Sequence, residues 1–218
     1  MNIQGFLANV AVYALPVIFA ITLHEAAHGY VAKHFGDRTA YLLGRVTLNP
    51  VRHIDLVGTI ILPLATLLLA GVMFGYAKPV PVNERNLRSP KRDMLWVAAA
   101  GPGANLLMAV GWALLAKALL SMPESGVAAF WLAVANAGIL INVIIGVFNL
   151  LPVPPLDGGR MVASLLPDKA ANAYARIEPF GLVAVFVLMF TPAFGLLLLP
   201  IVMGAVAGIH QLFGLTSA

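Results

Sequence analysis

The sequence predicts an all-α polytopic membrane protein, and three observations carry that reading. Of 218 residues, 61% are hydrophobic and 10% charged, whereas about a quarter of the residues of a soluble domain are charged. The mean hydropathy is +0.92. Five apolar stretches, about 6–35, 56–77, 94–120, 127–150 and 180–212, are each long enough to cross roughly 30 Å of hydrocarbon at 1.5 Å per residue. The expected fold is a bundle of four to five transmembrane helices, with a re-entrant segment at 56–77 and short extended or strand segments near the cytoplasmic face. Length allows a single membrane-embedded domain, residues 1–218, and no sizeable soluble one.

The first stretch has no Lys or Arg before it and carries ionisable groups, so it reads as a retained helix rather than a cleavable signal peptide. Those groups are His24-Glu25-Ala26-Ala27-His28. His24 and His28 are one helical turn apart on one face and can aim two imidazole nitrogens at one metal ion. Glu25 lies about 100° further around the axis. There its carboxylate reaches the water position of a zinc hydrolase as general base. The alternative is a polar cluster without metal. Charged groups at bilayer depth cost on the order of 2.5–3.5 kcal/mol each, so the cluster calls for a compensating cation. Cysteine is absent, which restricts any ligand set to His and carboxylate.

The second stretch is interrupted by Gly58, Pro63, Gly71 and Gly75, which favours a hairpin over a straight helix. If it crosses, Lys33, Arg38, Arg45, Arg52 and Lys117 lie on one side and the other eight of the 13 basic residues opposite. If it re-enters, the split is twelve to one, with only Lys117 on the far side. The positive-inside rule prefers the second arrangement and puts the His-Glu cluster in the cytoplasmic half of the first helix. The net charge of +4 is thus explained by orientation rather than by nucleic acid binding.

In the connecting loops, Arg45 to Leu48 alternates like a short strand and Asn49-Pro50 reads as a turn. His53 and Asp55 are candidate metal or proton-transfer groups, or simply polar interfacial residues. Lys78-Pro79-Val80-Pro81-Val82-Asn83 reads as extended chain beside the site, suited to pair with a substrate strand or to serve as a linker.

The third stretch carries Gly101-Pro102-Gly103-Ala104-Asn105, small residues for close packing, a proline that frees a carbonyl, and an amide that needs a partner. The fourth carries Asn142 and Asn149 on one face; with Asn105 these are candidate lining groups for a water route. It runs into Pro152-Val153-Pro154-Pro155, which unwinds the chain at membrane depth beside a covered cavity. Asp157 follows, the best candidate for a third ligand and also a candidate N-cap for a helix through Leu165. Gly158 and Gly159 permit close approach. The last stretch is kinked by Pro192 and Pro200, and His210 has no evident partner.

His24-Glu25-x-x-His28, Gly101-Pro102-x-x-Asn105 and Asn149-x-x-Pro152-x-x-x-x-Asp157-Gly158-Gly159, in that order, resemble the site-2 protease family (peptidase M50) of intramembrane zinc metalloproteases, in its compact prokaryotic form without PDZ or CBS domains. The resemblance covers about residues 15–165. It implies one Zn2+ held by His24, His28 and Asp157, Glu25 as catalytic base, and Asn149 beside the substrate, with Asn105, Pro102, Gly158 and His53 as further site-lining candidates. It further implies transmembrane protein substrates and a multi-pass position in a prokaryotic inner membrane with the site toward the cytoplasm. Oligomeric state is left open. A CAAX-type membrane protease would need a glutamate third ligand. A metal transporter would need ligands along a path across the bilayer, and a non-catalytic scaffold would only bind the ion; the sequence places its ligands at one depth.

Overall fold

The computed structural model describes residues 3–62, 66, 75, 77–189 and 191–215. Helix α1 (Ile3–His34) is followed by α2 (Thr39–Leu42), a 3-10 turn at Pro50–His53, a π-helical turn at Leu56–Ile61 and a 3-10 turn at Glu84–Asn86. Then come α3 (Pro90–Leu120), α4 (Gly126–Asn149), α5 (Asp157–Leu165), α6 (Asp168–Ala175), α7 (Glu178–Met189) and α8 (Pro192–Phe213). Four described helices are long and apolar enough to cross a membrane: Leu7–His34, Pro90–Leu120, Gly126–Asn149 and Gly195–Phe213. The chain is an all-α integral membrane protein.

Helices α1, α3 and α4 pack against one another, and α8 closes on α3 and α4. Alanines make the close approach possible: Ala109, Ala113 and Ala116 of α3 are fully buried against Ala135, Ile139 and Val143 of α4, with Val202 and Ile209 of α8 beside them. Since lipid supplies no hydrophobic drive between helices, such small-residue faces hold a bundle through contact between backbones.

Helix α1 ends in a left-handed glycine: Gly36 has φ +112°, and Asp37 N–H donates to the Ala32 carbonyl at 2.9 Å, the six-residue closure that reverses a chain after a helix. The reversed chain returns repeatedly to this end. Arg88 N–H donates to the Phe35 carbonyl at 3.0 Å, and Lys78 N–H to the His53 carbonyl at 2.9 Å. The two ends of stretch 56–77 therefore meet at one place, where a straight crossing would set them about 30 Å apart. The course between them lies largely outside the described residues.

Two sequence expectations are corrected. No strand forms among the described residues. Arg45 instead closes a turn onto Ala40 (2.9 Å) around Gly44 at φ +64°, so its amide serves the end of α2 and not a strand partner. The last apolar stretch is not one kinked helix: it breaks at Thr191, and Pro192 begins α8, where its missing N–H costs nothing. Pro200 lies within α8.

Candidate metal centre

The site is built across two antiparallel helices and one unwound turn. His24 and His28 project from one face of α1, as their spacing requires, against Val97, Gly101 and Asn105 of α3, which recur every four residues along the facing helix. His28 Nδ1–H donates to the Val97 carbonyl at 2.7 Å, and His24 Nδ1–H to Asn105 Oδ1 at 2.6 Å. Both rings thereby direct Nε2 inward. A Cβ on Gly101 would collide with both imidazoles, at 2.6 Å from His24 Nε2, so only glycine leaves them room. Pro102 deprives the Ala98 carbonyl of its helical donor, yet the carbonyl that serves the site belongs to Val97.

The third group arrives from the end of α4. After Asn149 the chain unwinds through the prolines, and Asp157 opens α5 as its first residue with Leu156 as N-cap. The carboxylate therefore caps nothing. Asp157 Oδ2 stands 3.2 Å from His24 Nε2 and 3.3 Å from His28 Nε2, and the two nitrogens are 3.1 Å apart. The close approach of α5 depends on glycine, because a Cβ on Gly158 would strike the Leu150 and Leu151 carbonyls and one on Gly159 the Val153-Pro154 backbone.

All three groups are buried, and Asp157 Oδ2 has no hydrogen-bond donor. Three lone-pair atoms facing one another without a proton between them repel; a cation among them removes the conflict. Ligands 2.0–2.2 Å from a tetrahedral ion stand roughly 3.3–3.5 Å apart, close to the spacing observed. Two imidazoles and one carboxylate are a catalytic zinc donor set, which keeps a fourth position for water. Among the described residues this is the one group of three ligand side chains able to share an ion.

Glu25 lines the same cavity, about 640 Å³ in volume, and its Oε2 accepts the Val80 N–H at 2.8 Å. Val80 belongs to the chain 77–82, which is neither helix nor strand and borders the cavity through Ala77, Pro79, Val80 and Val82. Thus the Val80 amide is engaged by Glu25. Asn149 also lines the cavity, with its amide donating to the Ile145 carbonyl at 2.9 Å. Val17, Ile21, Ile144, Ile145 and Val185 give the cavity an apolar lining.

Four sequence-predicted site residues do not line this cavity. Asn105 is fully buried behind His24 and acts on the ring, not on the cavity. Pro102 sits inside α3 and Gly158 is spent on helix packing. His53 is buried in its own loop, its Nε2 3.0 Å from the Thr47 carbonyl. Asn142 is likewise no lining group: its Oδ1 accepts from Asn105 Nδ2 at 3.0 Å. Sequence reading marked Gly101 for close packing and the chain of Val80 as lying beside the site, but missed the gap that Gly101 leaves for both rings, the Val80 amide on Glu25 and the Val97 carbonyl. Of the three, only the Val97 carbonyl left no signal in the sequence.

Known proteins similar to this chain show its family. Residues 117–192 match the profile of peptidase family M50. The candidate zinc metalloprotease YwhC of Bacillus subtilis is 37% identical over 206 residues, covering 91% of this chain and 89% of its own. Rip2 of Mycolicibacterium smegmatis, also named as a candidate zinc metalloprotease, is 31% identical over 190 residues, covering 86% and 71%. Its namesake in Mycobacterium tuberculosis H37Rv is 32% identical over 175 residues, covering 80% and 65%. No solved structure matches. With most of both chains aligned to YwhC, this chain belongs to peptidase family M50, the site-2 protease family of intramembrane zinc metalloproteases.

Proposed function

We propose that His24, His28 and Asp157 hold the zinc ion of this membrane protease, that Glu25 is its general base, and that it cuts peptide bonds in or near transmembrane segments of other proteins. The observation that carries this is the convergence of two Nε2 atoms and Asp157 Oδ2 within 3.3 Å, with both Nδ1 protons committed elsewhere. Zinc, when bound, lowers the pKa of a water to about 7 and polarises a carbonyl. Val80 N–H holds Glu25 Oε2, which leaves Oε1 to take the proton of the attacking water and return it to the leaving amine. Asn149, on the cavity wall, is placed to hydrogen-bond a substrate backbone that has left its helix.

A peptide bond inside an intact helix has its amide hydrogen-bonded and its carbonyl crowded, so substrates unwind before cleavage. Segments weakened by Gly, Pro or Asn near the cut suit this. The apolar wall accommodates a membrane segment.

The protein works as one domain, since its ligands come from both α1 and the start of α5. We place it in a prokaryotic inner membrane with the cavity toward the cytoplasm. Support comes from the meeting ends of stretch 56–77, which favour the arrangement that sets twelve of 13 basic residues on the side of the histidines.

The test compares wild type and Glu25→Gln on a model transmembrane substrate in detergent, with zinc content measured on both. Zinc retained and cleavage abolished is the expected result. Undiminished cleavage by Glu25→Gln, or no zinc in wild type, overturns the assignment.

A further inference from the structure

The two imidazoles are anchored differently. His28 Nδ1 meets a backbone carbonyl, which only accepts, so the proton on that nitrogen is forced. His24 Nδ1 meets the side chain of Asn105, which has an accepting and a donating end. Turned by half a rotation, that amide would present N–H to Nδ1, drive the ring proton to Nε2, and aim a donor instead of a lone pair at the metal position.

What opposes the turn lies on α4. Asn142 Nδ2 donates to the Gly138 carbonyl at 2.8 Å, one turn back on its own helix, and this fixes Asn142 Oδ1 as an acceptor toward Asn105. Asn105 Nδ2 donates to that oxygen at 3.0 Å and to the Ala20 carbonyl at 3.3 Å. A turned Asn105 would set its oxygen against two acceptors. At 0% and 1% exposure, Asn105 and Asn142 are out of reach of bulk solvent that would relieve them. The donors thus run one way, from His24 to Asn105 to Asn142 to Gly138, and a backbone carbonyl at the end sets the direction of the whole chain.

We infer that Asn142 is a positioning residue that acts through Asn105 to fix the tautomer of His24, and with it the direction of the His24 lone pair. The inference rests on the zinc-site reading above and assigns a role to a residue that touches neither cavity nor ion. Loss of outer partners of this kind costs roughly 10- to 100-fold in metal affinity.

The test measures zinc affinity of the full-length protein in detergent by competition with a chromogenic chelator, together with the ¹⁵N chemical shifts of the His24 ring in the zinc-free protein. Asn142→Leu removes the acceptor, and we expect zinc affinity to fall by about 10- to 100-fold with a loss of the pure Nδ1–H tautomer. Asn105→Asp is the conservative variant, because a neutral carboxyl keeps an oxygen for His24 and an O–H for Asn142; it should bind zinc nearly as wild type does, while Asn105→Leu should not. If Asn142→Leu fails to fold, the Asn105 pair decides: equal affinities for Asp and Leu overturn the inference. Wild-type affinity and unchanged ring shifts in a folded Asn142→Leu also overturn it, while leaving the zinc protease intact. A wild type without zinc affinity would instead sink the underlying site reading.

Discussion

Val80 donates its backbone N–H to Glu25 Oε2 at 2.8 Å, so the carboxylate beside the two histidines is held by chain 55 residues away. The segment that carries Val80 is itself tied down on both sides. Arg45 Nη2 donates to the Lys78 carbonyl at 2.8 Å, and Asp37 Oδ2 accepts the Asn83 N–H at 2.6 Å. A strap along the cavity lining thereby sets the orientation of the proposed base.

Removal of that one N–H should be felt in turnover and not in metal content. Val80→Pro deletes the donor in chain already extended between Pro79 and Pro81. Cleavage should fall by about 10- to 100-fold, in line with the cost of small misplacements of a reacting group, with zinc unchanged. Val80→Ala keeps the amide and should stay near wild type. Equal rates for the two variants would show that the strap does not orient Glu25.

Gly101 and Gly103 make a paired comparison on one helix. A methyl at Gly101 meets both imidazoles, whereas nothing lies within 4 Å of one at Gly103. Gly101→Ala should therefore abolish zinc binding and cleavage, and Gly103→Ala should leave both intact while stabilising the helix by up to about 1 kcal/mol. Zinc content and thermal unfolding in detergent check this.

Asp37 ties the end of α1 to the strap. Burial opposes its ionisation, but hydrogen bonds from the Thr39 hydroxyl, the Asn86 amide and the Asn83 and Thr39 backbone N–H outweigh burial and hold its pKa below the usual carboxylate range. Since the folded pKa is depressed, this stabilisation is fully present above the unfolded value, roughly pH 4, and is lost as pH falls through the folded one. Asp37→Asn offers those donors one oxygen in place of two and should cost on the order of 1–3 kcal/mol at neutral pH. Its unfolding temperature should also depend less on pH below about 4 than that of wild type. Parallel acid limbs would remove Asp37 from the account.

Chelation and Asp157→Ala should converge on one phenotype. Zinc stabilises whatever state binds it, so both treatments should lower the unfolding temperature as well as end cleavage. Added zinc should restore the chelated wild type and not Asp157→Ala. A variant that still binds zinc as tightly as wild type would exclude Asp157 as a ligand.

Much of this site was legible from the residues in order. Two histidines one turn apart beside a glutamate in a lipid-length helix, an aspartate after a proline-broken turn, and no cysteine sufficed to name the three side chains that converge, because helical periodicity and the cost of polar groups in hydrocarbon act locally. The four membrane helices followed from the same arithmetic. Expectations failed where a side chain's role depends on what faces it. Asn105 and Asn142 looked like lining groups, because a sequence announces a buried amide without saying which way it points. His53 looked available until its loop folded over it. The alternation at Arg45 to Leu48 predicted a strand, but a strand exists only with a partner, and the turn at Gly44 claimed the amide first. What the sequence alone determined was chemistry set by spacing along one chain. The tertiary structure decided which carbonyls, glycine gaps and amides stand behind each candidate ligand, because those pairings join α1, α3, α4 and the strap through contacts that no local pattern records.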